Sequence, residues 1–337
     1  MNRSYRHVVA LTVLLFAASV AVPVTYAQEA TPGRTPDSAT PAATGDFAGL
    51  VDIGGGRRLY LECAGQGSPT VLLEAGYRSP ATVWTDDLVQ PDDPRTMVFA
   101  GVAQFTRVCL YERPGAAAVV DDVLQPSRSD PVPMPRTAES VVTDLHALLE
   151  AAAVPGPYVL VGHSLGGLFV RLYAATYPDE VVGLVLVDAW SEELKELLTP
   201  EQWEAYVRFN SVLPPEMADD ASYETLDFAA ASEAMATAAA AHPLPAIPLV
   251  VLAHGQPFGV PAEGLGFPPE VLETAWNTAQ EQLASLVTGG RFVVAEESAH
   301  YVQLQQPDLV IAAVRQVVDA VRDPTTWATP TAGTLSP

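Results

Sequence analysis

Positive charge is scarce in this chain: 17 lysines and arginines stand against 40 aspartates and glutamates in 337 residues, a formal net charge of −23. No basic patch or stripe is visible, which excludes a nucleic-acid partner held through its phosphates. The same imbalance favours solubility and repels anionic surfaces. There are only two cysteines, Cys63 and Cys109, too few for a disulfide-stapled small scaffold. No Cys/His cluster and no carboxylate spacing suits a metal, so no metal is expected; nor does the serine chemistry read below require a cofactor. Long apolar runs are missing apart from one near the N-terminus, and no internal repeat is present.

That run belongs to an export signal. Arg3, Arg6 and His7 form a positive n-region, Val8 to Val22 form a 15-residue apolar h-region, and Thr25-Tyr26-Ala27 places small residues at −3 and −1. Cleavage is expected after Ala27, giving a secreted or extracytoplasmic protein. The run is short for a bilayer crossing, so no stable membrane insertion is expected once the signal is removed. Residues 28–46 are rich in Ala, Thr and Pro and read as a linker, and 323–337 as a disordered tail. In an exported chain, an even pair of cysteines beside two expected strands suggests a Cys63–Cys109 disulfide.

Between these ends, short Val/Leu-rich segments alternate with helical stretches, the pattern of an α/β fold with a mostly parallel sheet. Eight strands are expected, at 50–54, 58–63, 70–74, 107–111, 158–161, 182–187, 248–253 and 291–295. The first two flank Gly54-Gly55-Gly56 and read as an antiparallel hairpin. Residues 191–246 break the rhythm. Helix-prone Ser191–Phe209 and alanine-rich Ala229–Ala241 have no strand between them, so a helical cap is expected after the sixth strand. The core would then comprise residues 47–190 and 247–322.

The chemistry centres on Gly162-His163-Ser164-Leu165-Gly166-Gly167, which follows an apolar strand and opens an apolar-periodic helix. A serine on so sharp a turn has its hydroxyl thrust outward, while flanking glycines leave room for strand and helix to approach. Such a serine needs a base, and the base needs an acid to orient it. Of six histidines, His7 leaves with the signal and His163 lies inside the turn itself. His146 sits in a predicted amphipathic helix and His242 in the stretch leaving the cap. Of the remaining two, His254 and His300, His300 is favoured because it lies in a loop between a strand and the helix from Pro307 to Val321. Asp188, ending the sixth strand, is the expected acid, with Glu263 as the alternative.

The chain resembles the α/β-hydrolase fold family over about residues 50–322. The resemblance is carried by the glycine-flanked serine, by Tyr111-Glu112-Arg113-Pro114-Gly115 after the fourth strand, by Tyr177-Pro178-Asp179-Glu180-Val181 before the sixth, and by the order Ser164, Asp188, His300. Two departures stand out. The family's commonest acid position, after the seventh strand, holds His254-Gly255-Gln256, and the third strand ends Glu74-Ala75-Gly76-Tyr77 where His-Gly is usual. The resemblance implies that backbone N–H groups of Tyr77 and Leu165 form an oxyanion hole. It also implies a serine hydrolase acting on a small-molecule ester or other acyl substrate. An aminopeptidase, a lactonase and a non-catalytic binding protein remain the alternatives.

Overall fold

The structure is a computed structural model that describes residues 45–120, 123–213, 223–260 and 262–328. The expected signal and most of the linker lie outside the described residues. Eight strands form the main sheet: β1 (Phe47–Asp52), β2 (Arg58–Ala64), β3 (Thr70–Glu74), β4 (Val108–Glu112), β5 (Tyr158–His163), β6 (Val181–Val187), β7 (Leu249–His254) and β8 (Arg291–Ala295). Their spatial order is β1-β2-β4-β3-β5-β6-β7-β8. β2 runs antiparallel to both β1 and β4, and the other neighbours are parallel.

Every residue of β3, β4, β5 and β7 is buried, because helices cover both faces. Alternate strand residues feed two apolar layers. Leu72, Leu160, Leu184 and Val251 pack with the helices Ala138–Ala151 and Leu165–Thr176, while Val71, Val159, Val161, Val185 and Leu252 pack with the helix Pro307–Arg322. Between β6 and β7 lie the helices Leu194–Leu197, Pro200–Ser211 and Phe228–Ala241. Thr199 starts the second of these with a capping box to Gln202, and Asp227 caps the third. Cys63 and Cys109 stand opposite each other on β2 and β4, with Cα atoms 4.1 Å apart, and are disulfide-bonded.

Several details depart from expectation. β1 begins at Phe47 and ends at Asp52 rather than spanning 50–54. A second, two-stranded sheet, Ala117–Val120 with Val123–Pro126, was not anticipated, nor was the 16-residue helix Pro269–Ala284 before β8. The tail is ordered at its start: Thr325–Ala328 is helical, and Arg291 donates to the Trp327 carbonyl at 3.0 Å while stacking on its ring. Residues 329–337 lie outside the described ones. Among the described residues, no helix is long and apolar enough to cross a membrane.

Candidate active site

Ser164 stands between β5 and the helix Leu165–Thr176, with φ 51° and ψ −126°, a strained conformation for a residue bearing a side chain. The glycines around it are required by space. A Cβ on Gly162 would lie 2.6 Å from the Gly166 carbonyl, and one on Gly166 would lie 2.5 Å from that of Ala75. A Cβ on Gly76 would come within 3.1 Å of Ser164 Cβ, so the loop leaving β3 lies directly against the serine turn. The first helical turn leaves Leu165 N–H without an intrahelical acceptor. Both amides expected to face an oxyanion, on Tyr77 and Leu165, therefore belong to segments that meet at Ser164.

Asp188 follows β6 with φ 43° and is fully buried. His300, in the loop after β8, places Nδ1 2.6 Å from Asp188 Oδ2. The same carboxylate accepts from Trp276 Nε1 at 3.1 Å and from His254 N–H at 3.2 Å, and His254 Nδ1 lies 2.8 and 2.9 Å from its two oxygens. Burial alone would favour the protonated acid. The hydrogen bonds from His254 and His300 outweigh it and hold Asp188 well below the usual carboxylate range. Glu263, the alternative acid, belongs to the short helix Ala262–Leu265, whereas Asp188 is bonded to His300.

His163 is buried beside the serine, its ring centroid 4.7 Å from that of His300 and 5.0 Å from that of Tyr301. Its Nε2–H donates to the His300 carbonyl at 2.9 Å, tying the loop after β8 to the serine turn. Burial, reinforced by nearby His300, pushes the His163 ring down to about 3, so it is neutral. Beyond Asp188, His254 Nε2 lies 2.9 Å from Glu273 Oε2, and burial of the ring is overcome by bonding to Asp188 and Glu273, which hold it up at about 9.

On the other side of Ser164, Arg113 is buried between Glu74 and Glu224. Burial opposes its charge, but the Glu224 and Glu74 carboxylates more than compensate and raise it further. The guanidinium also donates to the carbonyls of Ala75 at 2.8 Å and Gly76 at 2.6 Å. In a trans peptide C=O and N–H point opposite ways, so gripping the Gly76 oxygen fixes the direction of the Tyr77 N–H. Glu224, from the segment between β6 and β7, accepts from Arg113 at 2.7 and 2.9 Å and from Arg78 N–H at 2.6 Å. The loop that carries Tyr77 is thus held from the sheet and from the cap at once.

Of the residues singled out from the sequence, Asp188 and His300 are hydrogen-bonded, Ser164 follows the His163 whose ring lies against His300, and Tyr77 follows the Gly76 that lies against Ser164. Sequence reasoning missed Arg113, Glu224, His254, Glu273 and Trp276. Arg113 stood within a quoted motif, and His254 ended a strand, so both had a signal; Glu224 and Glu273 had none. Among the described residues, no group of three or more His, Cys, Asp or Glu side chains is placed to hold a metal ion.

Comparison with known proteins points the same way as this geometry. Residues 109–243 match the family model of the alpha/beta hydrolase fold. Over 131 residues the chain is 34% identical to a vacuolar membrane protein of Saccharomyces cerevisiae; the match takes in 37% of this chain and spans only 17% of that protein. Over 301 residues it is 23% identical to an AB hydrolase superfamily protein of Gibberella zeae, covering 75% of this chain and 87% of the relative. An esterase structure from Thermogutta terrifontis superposes with a TM-score of 0.51 at 19% identity, covering 82% of this chain and 99% of that one. The sheet order, the serine turn after β5 and these likenesses agree: the chain has the α/β-hydrolase fold.

Proposed function

We propose that the chain is a secreted serine hydrolase that cleaves carboxylic esters of small molecules through an acyl-enzyme intermediate. One observation carries this reading: a strained, partly exposed serine follows a histidine packed against His300, whose Nδ1 is bonded to a buried aspartate held in its charged form. Ser164 Oγ attacks the ester carbonyl as His300 Nε2 takes its proton. Asp188 holds the imidazole with Nδ1 protonated and stabilises the imidazolium that forms. The Tyr77 and Leu165 N–H groups receive the oxyanion. His300 then protonates the departing alcohol, and a water activated by the same nitrogen attacks the acyl-serine to release the acid. An aminopeptidase on the same residues would need a free acidic side chain for the substrate amine. Glu192, closest in sequence to Asp188 among the cap acids, is instead bonded to Arg171 at 2.5 and 3.0 Å.

The test is turnover of p-nitrophenyl esters of increasing acyl length by the exported protein. Ser164→Ala should lower kcat by about 10⁴-fold or more, and Asp188→Asn by a comparable factor, with the fold retained. A folded wild type without turnover on any ester overturns the reading. N-terminal sequencing of the exported protein checks secretion: the expected first residue is Gln28, and an intact Met1 overturns cleavage.

A further inference from the structure

The last residue of β7 is a histidine in full contact with the acid of the site, and the serine–histidine–aspartate scheme leaves it without a role. His254 is buried, its side chain only 2% exposed, and each ring nitrogen faces a different carboxylate. Nδ1 lies 2.8 Å from Asp188 Oδ1, and Nε2 lies 2.9 Å from Glu273 Oε2. Asp188 is not placed to supply a proton of its own. Asp188 is surrounded by donors: the His254 and Trp276 N–H groups and His300 Nδ1. Glu273 already accepts the Phe258 N–H at 2.6 Å through its other oxygen. A neutral imidazole has one bare nitrogen, which would direct a lone pair at a carboxylate oxygen wherever it pointed. Only the doubly protonated ring satisfies both ends.

We propose that His254 is a standing imidazolium, locked between Asp188 and Glu273, that acts as a positioning residue for the acid and sets the charge felt by His300. The kinetic half of this rests on the serine-hydrolase reading; the charge state does not. The titratable groups facing the ring are Asp188 from the end of β6, Glu273 from the helix Pro269–Ala284 and His300 from the loop after β8. Phe258 and Trp276 complete the enclosure, with the Phe258 ring 4.5 Å from that of His254 and in edge contact with Trp276. Two consequences follow from this placement. Bonded through both Nδ1–H and its backbone N–H, His254 fixes the Asp188 carboxylate in the plane that His300 needs. Its positive charge shares a carboxylate with His300, so a second positive charge there is opposed until a substrate is attacked.

The direct experiment is nitrogen-15 NMR of the histidine-labelled, folded protein between about pH 5 and 8. His254 is expected to keep both ring nitrogens protonated throughout; an unprotonated ring nitrogen at neutral pH overturns the proposal. Glu273→Gln, a change at the partly buried rim, should let the second proton titrate within that range. In His254→Asn the acidic limb of kcat/KM should move up by about one pH unit, with kcat lowered more than KM is changed. An unmoved limb in a folded variant overturns the charge role. The two readings fail separately. An inactive protein with a His254 imidazolium would sink the hydrolase reading alone, and an active one with a neutral His254 would sink this proposal alone.

Discussion

Two buried cations flank Ser164, each between two carboxylates. Arg113 lies between Glu74 and Glu224 on the side of the β3 loop; His254 lies between Asp188 and Glu273 on the side of the acid. The arrangements are alike, but the cations are not. A guanidinium stays charged at any pH a protein survives, whereas an imidazolium holds its second proton only while its surroundings insist. The arginine grips main-chain carbonyls and shapes a backbone; the histidine grips a carboxylate and shapes a charge. The half of the site that must hold a fixed geometry is built on the cation that cannot titrate.

The largest effect that would test this contrast is Arg113→Met. It leaves Glu74 and Glu224 buried without their counter-charge and should cost about 3–5 kcal/mol in denaturant unfolding. A loss below about 1 kcal/mol would mean that the arginine is not what holds the loop. The pH dependence of stability should separate the two sides next. His254, held up at about 9 against an ordinary value of 6.5, contributes stability that is complete below pH 6.5 and lost as pH rises through 9, about 3 kcal/mol in all. His163, pushed down to about 3, contributes in the opposite sense: its share is present above pH 6.5 and lost as pH falls toward 3, with Asp188 adding to the acid-side loss. Thermal midpoints should therefore peak near pH 6.5, and His254→Gln should flatten the alkaline flank alone. A flank unchanged by that substitution would contradict the assignment. Smallest is Glu224→Gln, which keeps the side chain's shape but weakens its hold on Arg113 and Arg78; kcat on esters should fall about tenfold with KM nearly unchanged.

What was legible in the sequence was local. Ser164 announced itself through glycines that the backbone needs at fixed spacing, and Asp188 and His300 through their places just beyond strands. The covered faces of β3 to β7 were legible because a strand buried on both sides must be apolar throughout. Pairings between distant residues left no such trace. Glu224 meets Arg113 across 111 positions, and nothing in the run Tyr223-Glu224-Thr225 sets that glutamate apart from a solvated one. Glu273 is an ordinary acid on a helix until β7 places His254 beneath it. That helix did carry a signal, since Leu272, Ala275, Trp276, Ala279 and Leu283 repeat at helical spacing and are among the residues it buries. The tail from Asp323 read as disordered because it is rich in Ala, Thr and Pro, and Trp327 stacked with Arg291 is what gives its first turn something to pack against.

The bond from Glu224 to the β3 loop bears on how such a protein can diversify. Glu224 comes from the insert between β6 and β7, not from the sheet or its flanking helices, yet its carboxylate reaches Arg113 and the Arg78 amide. An insert exchanged wholesale for a relative's would carry off a brace of the reaction centre. Chimeras at this junction should therefore lose rate, unless the incoming segment brings a glutamate to the same place.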